Sequence, residues 1–290
     1  MIILDGKAQA LTIRSELKAR IAQGTANGTR PPSLCVINLG QDPASHVYVR
    51  NKTLACQEVG IMAESCLLDA QTKEEVLLAK IATLNQQTDI DGILVQLPLP
   101  PHINAAKCLL AIDPKKDVDG FHPENAGRLT LGLPGLKPCT PLGIMELLRR
   151  YNFSLQGRKA VVVGRSNIVG KPLALMLAEP LEYANATVTL CHSKTRNLQA
   201  ECKQADFLFL AIGQPKAINH TYVREGAVVI DVGINRTPNG LCGDADFADL
   251  QPIVQAMTPV PGGVGPMTVA MLLHNTVQVW EENLSTKAKA

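Results

Sequence analysis

The chain has 290 residues, 19% of them charged and 46% apolar, with a formal net charge of +2. That length suits two domains and can bury roughly three quarters of its unfolded surface, so folding needs no disulfide or metal staple. A near-neutral charge without a Lys/Arg block argues against a nucleic-acid partner, and no apolar run approaches the roughly 18 residues of a membrane span.

The residues Asp5, Lys7, Arg14, Glu16 and Lys18 near the N-terminus leave no room for the apolar core of a signal peptide. None of the eight cysteines pairs at C-x-x-C spacing and the six histidines form no H-E-x-x-H, so neither a metal site nor a disulfide framework is expected. A reducing, cytoplasmic compartment is the expectation.

In chain order, the pattern predicts a helix over 7–22 and a buried strand at Leu34-Cys-Val-Ile-Asn-Leu39. A helix over 43–59, closed by Gly60, comes next. Thr72-Lys-Glu-Glu75 reads as a capping box opening a helix to Leu84. Gly92-Ile-Leu-Val-Gln-Leu97 reads as a strand stopped by Pro98, Pro100 and Pro101. Residues 117–135 are rich in Gly, Pro and Asp and read as a linker. Thr140-Pro141 supplies an N-cap and first position for a helix to Tyr151. Strands are then expected at 159–163, 186–191, 206–211 and 227–232, and a final helix over roughly 264–282. Strands separated by helices imply parallel βαβ units. The expected fold is α/β, with two βαβ-type domains and a cleft between them. The first domain spans 1–120, joined by the C-terminal helix 271–290. The second, 121–270, is a Rossmann-like doubly wound parallel sheet.

Val161-Val-Val-Gly-Arg-Ser-Asn-Ile-Val-Gly170 is a strand, a tight turn at Gly164 and a helix start from about Val169, whose free amides would face a phosphate. The spacing is G-x-S-x-x-x-G, not G-x-G-x-x-G, so a plain turn is also open. An NAD site normally places an acid after the next strand. Here that strand ends Cys191-His-Ser-Lys-Thr-Arg196, with hydroxyls and cations only. Ser193, Lys194 and Arg165 would attract a 2′-phosphate, which favours NADP over NAD. Lys171 is a further cation beside Gly170.

Ser45, Tyr48 and Lys52 share one face of the helix over 43–59. Tyr-x-x-x-Lys also occurs in short-chain dehydrogenases, but there the glycine-rich turn precedes the pair, and here it follows. Thr258-Pro-Val-Pro-Gly-Gly-Val-Gly-Pro-Met-Thr-Val-Ala-Met271 holds three prolines and three glycines between Pro259 and Pro266, a stiff backbone nearly bare of side chains.

Together these strings resemble the bifunctional methylenetetrahydrofolate dehydrogenase/methenyltetrahydrofolate cyclohydrolase family. Ser45-His-Val-Tyr-Val-Arg-Asn-Lys52 looks like its S-x-x-Y-V-x-x-K motif. Val95-Gln-Leu-Pro-Leu-Pro100, Lys116-Asp-Val-Asp-Gly-Phe121, Pro138-Cys-Thr-Pro141 and the C-terminal loop match in the same order. The resemblance implies oxidation of 5,10-methylenetetrahydrofolate with NADP, then hydrolysis to 10-formyltetrahydrofolate, which supplies formyl groups for purine synthesis. It implies that Lys52 is the central catalytic group, that Gln96 orients it and that Tyr48 lies against the pterin or its linking ring. Asp119 would accept from pterin N–H donors, and Val95, Leu97, Pro261, Gly262 and Gly263 would line the same substrate. Gly164, Arg165, Ser166, Ser193 and Ile234 match the cofactor-binding residues, and a homodimer is implied. The chemistry suits these types. A lysine beside a cationic substrate releases its proton more readily than one in water and can act as base for ring opening. A dehydrogenase-only variant, another NADP-dependent oxidoreductase and a non-enzymatic NADP sensor share parts of the pattern. Intact Tyr48, Lys52 and Gln96 count against the first, the second does not share the Asp119 and Pro261 strings, and the third does not require Lys52.

Overall fold

The computed structural model describes residues 1–40, 43–238 and 240–287, leaving aside the side chains of 43–48 and 287. In chain order its elements begin β1 (Ile2–Ile3), α1 (Gly6–Thr25), β2 (Ser33–Leu39), α2 (Pro43–Val59), β3 (Met62–Leu68), α3 (Glu74–Gln86) and β4 (Gly92–Val95). They continue α4 (Ala105–Leu110), α5 (Pro123–Thr130), α6 (Cys139–Arg150), β5 (Lys159–Val163), α7 (Gly170–Ala178), β6 (Thr187–Cys191) and α8 (Leu198–Lys203). The last are β7 (Phe207–Leu210), β8 (Val228–Asp231), β9 (Asn235–Thr237), β10 (Gly240–Cys242), α9 (Phe247–Leu250), β11 (Ala256–Met257) and α10 (Val264–Lys287).

The chain forms two compact units. The first comprises Met1–Leu11 and Thr140–Thr268, the second Thr12–Cys139 and the chain from Val269 on. Residues 121–139, read from sequence as part of the second domain, therefore cluster with the residues before them, and residues 1–11 cluster with the first unit.

The second unit is built on a parallel sheet of order β3-β2-β4. Its central strand β2 is buried at every position, which is why its sequence shows a continuous apolar run and no alternation. Its core joins Ile37, Leu77, Ile81, Leu84 and Ile93. Strand β3 lies at the edge, with Met62 and Leu67 exposed. The stretch expected to be a linker carries α5, started by Pro123 after an N-cap at His122, whose ring accepts from the Glu124 amide. Thr72 is not a cap. Lys73 holds the N-cap position of α3 without a side-chain bond, and Glu74 turns instead to the Asn104 amide and the Lys107 ammonium. Trp280 on α10 is fully buried, its indole donating to Arg30 O at 2.9 Å. Gly24 on α1 makes room for the ring, because a Cβ there would stand 2.3 Å from it.

The first unit carries a six-stranded sheet of order β1-β11-β8-β7-β5-β6, parallel throughout. Strand β5 lies between β6 and β7, so the connections leave it in opposite directions. Such a switch point opens a crevice beyond the strand ends, where ligands of doubly wound sheets bind. Helix α6 begins at Cys139, one residue before the expected cap, and the Thr140 hydroxyl instead meets that of Thr268 at 3.0 Å.

Candidate active site

In the second unit, α2 presents Lys52 and the end of β4 presents Gln96. The Gln96 amide N–H donates to Ile37 O at 2.8 Å, extending the β2–β4 pairing by one residue and fixing where its side chain leaves the sheet. Its Nε2 donates to Leu97 O at 2.7 Å, which leaves Oε1 to accept from Lys52 Nζ at 3.1 Å. The lysine is thus tethered to the carbonyl oxygen of a neutral amide. Val95 is buried at the strand end, Leu97 is half-buried, and the bond from Leu97 to Pro98 is cis. Ser45 and Tyr48 lie among the side chains outside the described set.

Asp119 sits in a turn that several buried groups fix. Asp117 accepts from the His122 amide at 2.7 Å and from Asn125 Nδ2 at 3.0 Å. Gly120 takes a φ of +74°, and a Cβ there would meet the backbone of Lys137 and Pro138 at 2.5 Å, so only glycine lets the two stretches touch. Burial pushes the Asp119 carboxyl above its ordinary range and nearby Asp117 adds to this, while the Lys52 ammonium pulls it back. Lys116 of the same string is structural. Its Nζ donates to the carbonyls of Leu84, Asn85 and Gln87 at 2.9, 2.9 and 2.6 Å, closing the C-terminal end of α3.

In the first unit, β5 leads into the turn at Gly164, where φ is +128° and a Cβ would lie 2.2 Å from Ala211 O beyond β7. Gly170 is packed as tightly, since a Cβ there would lie 1.9 Å from Gly164 O. The turn is therefore a bare-backbone cradle at the switch point. The expected source of phosphate donors differs. Ser166 Oγ accepts from the amides of Val169 and Gly170 at 3.1 and 3.4 Å, and its carbonyl accepts from Lys171 N at 3.0 Å. The first amides of α7 are thus occupied, because the G-x-S-x-x-x-G spacing lets the serine fold back as a cap. The amides of Ser166, Asn167 and Ile168, in the exposed turn, make no hydrogen bond among the described residues. Lys171 is held by Asn167 Oδ1 at 2.8 Å.

Val163 and Cys191 pair across β5 and β6, so Arg165 and Ser193 each lie two residues past a shared rung, both exposed. The donors and the cation suit a dinucleotide carrying a 2′-phosphate, and the glycine cradle suits its pyrophosphate.

Ile234 follows β8 with 47% of its surface exposed, and its Cδ1 lies 3.7 Å from where a Cβ of Gly265 would be. Two carboxylates unread in the sequence hold its surroundings. Asp244, fully buried, accepts from the amides of Ile212, Gly213 and Gln214 at 2.7, 3.1 and 2.9 Å and from Asn235 Nδ2 at 2.9 Å. Asp231 accepts from the amides of Gly233, Asp244 and Ala245 at 2.9, 3.0 and 2.8 Å. Burial raises its carboxyl to about 6, against the lowering pull of these amides. Pro261, Gly262 and Gly263 also belong to the first unit. Gly262 O accepts from Lys7 N at 2.8 Å, and Gly263 O lies so close to Gly6 that a Cβ there would stand 1.9 Å away.

Two family profiles match the chain. One, described as tetrahydrofolate dehydrogenase/cyclohydrolase, catalytic domain, covers residues 4–119, and the other, the NAD(P)-binding domain of the same enzymes, covers 138–284. The chain belongs to the tetrahydrofolate dehydrogenase/cyclohydrolase family. It is similar to the "Bifunctional protein FolD" of Nitratidesulfovibrio vulgaris, at 63% identity over 97% of this chain and 98% of that one. Among solved structures, the bifunctional FolD dehydrogenase/cyclohydrolase of Campylobacter jejuni is 47% identical with a TM-score of 0.94, covering 97% of this chain and 99% of that one. The Trypanosoma brucei FolD, solved with NADP cofactor and inhibitor, is 36% identical with a TM-score of 0.91 and covers 98% of each chain. The family strings thus fall where the geometry places Lys52, Gln96 and Asp119 in one unit and the glycine cradle in the other.

Proposed function

We propose that the chain oxidises 5,10-methylenetetrahydrofolate to 5,10-methenyltetrahydrofolate with NADP and then hydrolyses that product to 10-formyltetrahydrofolate. The observation that carries the reading is the Lys52–Gln96 hydrogen bond, with Asp119 close enough for the ammonium to act on its carboxyl. NADP, when bound, accepts the hydride from the methylene bridge. The first unit contributes its fit: the Gly164 and Gly170 cradle for the pyrophosphate, the free amides and Ser166 hydroxyl for its oxygens, and Arg165 with Ser193 for the 2′-phosphate. Ile234 offers the apolar surface against which a nicotinamide can lie.

The second unit works on the folate. The Asp119 carboxylate receives N–H donors of the pterin, a two-point fit that sets its orientation. Tyr48 packs against the pterin or its linking ring, and Val95 and Leu97 line the substrate. The methenyl cation that follows hydride loss is stabilised by its own nitrogens, so positioning is the protein's main task. Ring opening adds water to that cation and needs a proton acceptor. Gln96 Oε1 takes one Lys52 N–H, which fixes where the amine points for the proton transfer that ring opening needs.

We also read the protein as a cytoplasmic homodimer. Its eight cysteines are free thiols, mostly buried, as suits a reducing compartment, and the edge strand β6 leaves Leu190 exposed for a second copy.

One spectrophotometric assay tests the reading. With methylenetetrahydrofolate and NADP, methenyl absorbance rises and then decays. Lys52→Met, shown folded by circular dichroism, is expected to abolish the decay. Normal ring opening by that variant removes Lys52 from the mechanism, and no absorbance rise with wild type removes the function.

A further inference from the structure

Asn275 lies on α10, buried to 1% exposure. Its Nδ2 donates to Val118 O at 2.8 Å and Lys137 O at 3.0 Å, so both amide hydrogens are used. These carbonyls belong to the two stretches that meet at Asp119. Val118 precedes it directly, and the Lys137 backbone packs on Gly120. The buried Cys139 thiol completes the cluster. Its Sγ donates to Val118 O at 3.2 Å and lies 3.6 Å from Asn275 Nδ2. The Cys139 amide donates to Asp119 O at 3.3 Å. Asp119 is therefore held at its backbone and at the residue before it by one buried set of donors.

Filling this volume alone would favour an apolar side chain, which has no polar atoms to satisfy. Asn275 instead keeps its Oδ1 buried with no hydrogen-bond partner among the described residues, a cost that its two donations offset. A thiol likewise gives Val118 O a donor that alanine or valine would not.

We propose that Asn275 and Cys139 are positioning residues for the folate-binding carboxyl of Asp119, setting folate affinity through that side chain. The proposal rests on reading Asp119 as the group that holds the pterin. The test uses the full-length enzyme and the KM values for methylenetetrahydrofolate and NADP in Asn275→Ala, Cys139→Ala, Cys139→Ser, Asp119→Asn and the doubles that combine the alanine changes with Asp119→Asn. Asn275→Ala and Cys139→Ala are each expected to raise the folate KM about tenfold, with the NADP KM and kcat within about twofold of wild type. Cys139→Ser, which restores a donor, is expected to recover most of the loss. In the Asp119→Asn background either alanine change should add less than about twofold, because the clamp then has no carboxyl to place.

Equal effects on both KM values, or additive effects in the doubles, overturn the proposal and leave a packing role. If Asn275→Ala does not fold, the cysteine variants complete the same cycle. An unchanged folate KM in Asp119→Asn alone overturns the reading of Asp119 and the clamp with it. Failure of the clamp alone shows differently, with Asp119→Asn weakening folate binding while the two alanine variants do not.

Discussion

Gly170→Ala tests the cofactor cradle with a single methyl group. The new Cβ would stand 1.9 Å from Gly164 O and 3.0 Å from Arg165 Cα. A comfortable carbon–oxygen contact is about 3.3 Å, so turn and helix start must part by roughly 1.4 Å. Both clashing groups are backbone, so no side chain can swing aside, and overpacking of this kind costs about 1–3 kcal/mol. The same shift carries the amides of residues 166–168 away from any phosphate they serve. A hydrogen bond to a charged group is worth about 1.5–3 kcal/mol, so losing one weakens NADP binding by roughly ten- to a hundredfold. Calorimetric titration with NADP and a thermal melt read the two effects separately. Gly127→Ala is the control. Nothing lies within 4 Å of a Cβ there, and alanine in α5 should leave NADP binding alone and add up to about 1 kcal/mol of stability. A Gly170→Ala protein that melts like wild type and binds NADP within about twofold of it would refute the argument that this contact shapes the site.

Changing Arg165 and Ser193 together to alanine should lower NADP affinity about ten- to a hundredfold and leave NAD binding nearly unaltered, and an unchanged NADP/NAD ratio would mean that another residue reads the phosphate. Asp231 should tie stability to pH. Its carboxyl, at about 6 when folded against an ordinary 3.8, binds a proton more tightly in the folded state, so its contribution is complete below about pH 4 and is lost as pH rises through about 6. Denaturant unfolding between those pH values should show a decline of at most about 3 kcal/mol that Asp231→Asn lacks, and an identical slope in both proteins would count against it. Lys116→Met leaves three carbonyls at the end of α3 without their shared donor and should cost about 2–3 kcal/mol by urea unfolding, whereas a loss below about 0.5 kcal/mol would show that water replaces the ammonium there.

Central strands were legible in the sequence because burial on both faces demands continuous apolar runs. Lys159-Ala-Val-Val-Val163 and Leu34–Leu39 stand out for that reason. Edge strand β3 did not, since Met62, Glu64, Ser65 and Leu67 face solvent and the run lacks β-branched residues. Helix α5 was hidden by Pro123 and Gly127, which read as loop residues although a proline at a helix's first position is favourable. The residues of chemistry could be picked out because they sit in compact strings. The groups that hold them could not. Asn275 reaches Val118 across 157 residues of sequence, and Asp244 gathers amides about 30 residues away, so no local pattern marks either one. Ser166 shows the opposite limit: its string stands out, but its folding back onto the helix start depends on a geometry that spacing alone does not specify.

The lone tryptophan is an optical reporter with a restricted field of view. Trp280, Gly24 and Arg30 all lie in the second unit, so the indole's emission follows the melting of that unit and is blind to the six-stranded sheet. Fluorescence and far-ultraviolet dichroism melts will superimpose only when the two units lose structure as one cooperative block. Ligands added singly, a folate or a dinucleotide, can then be sorted by which of the two curves each one moves.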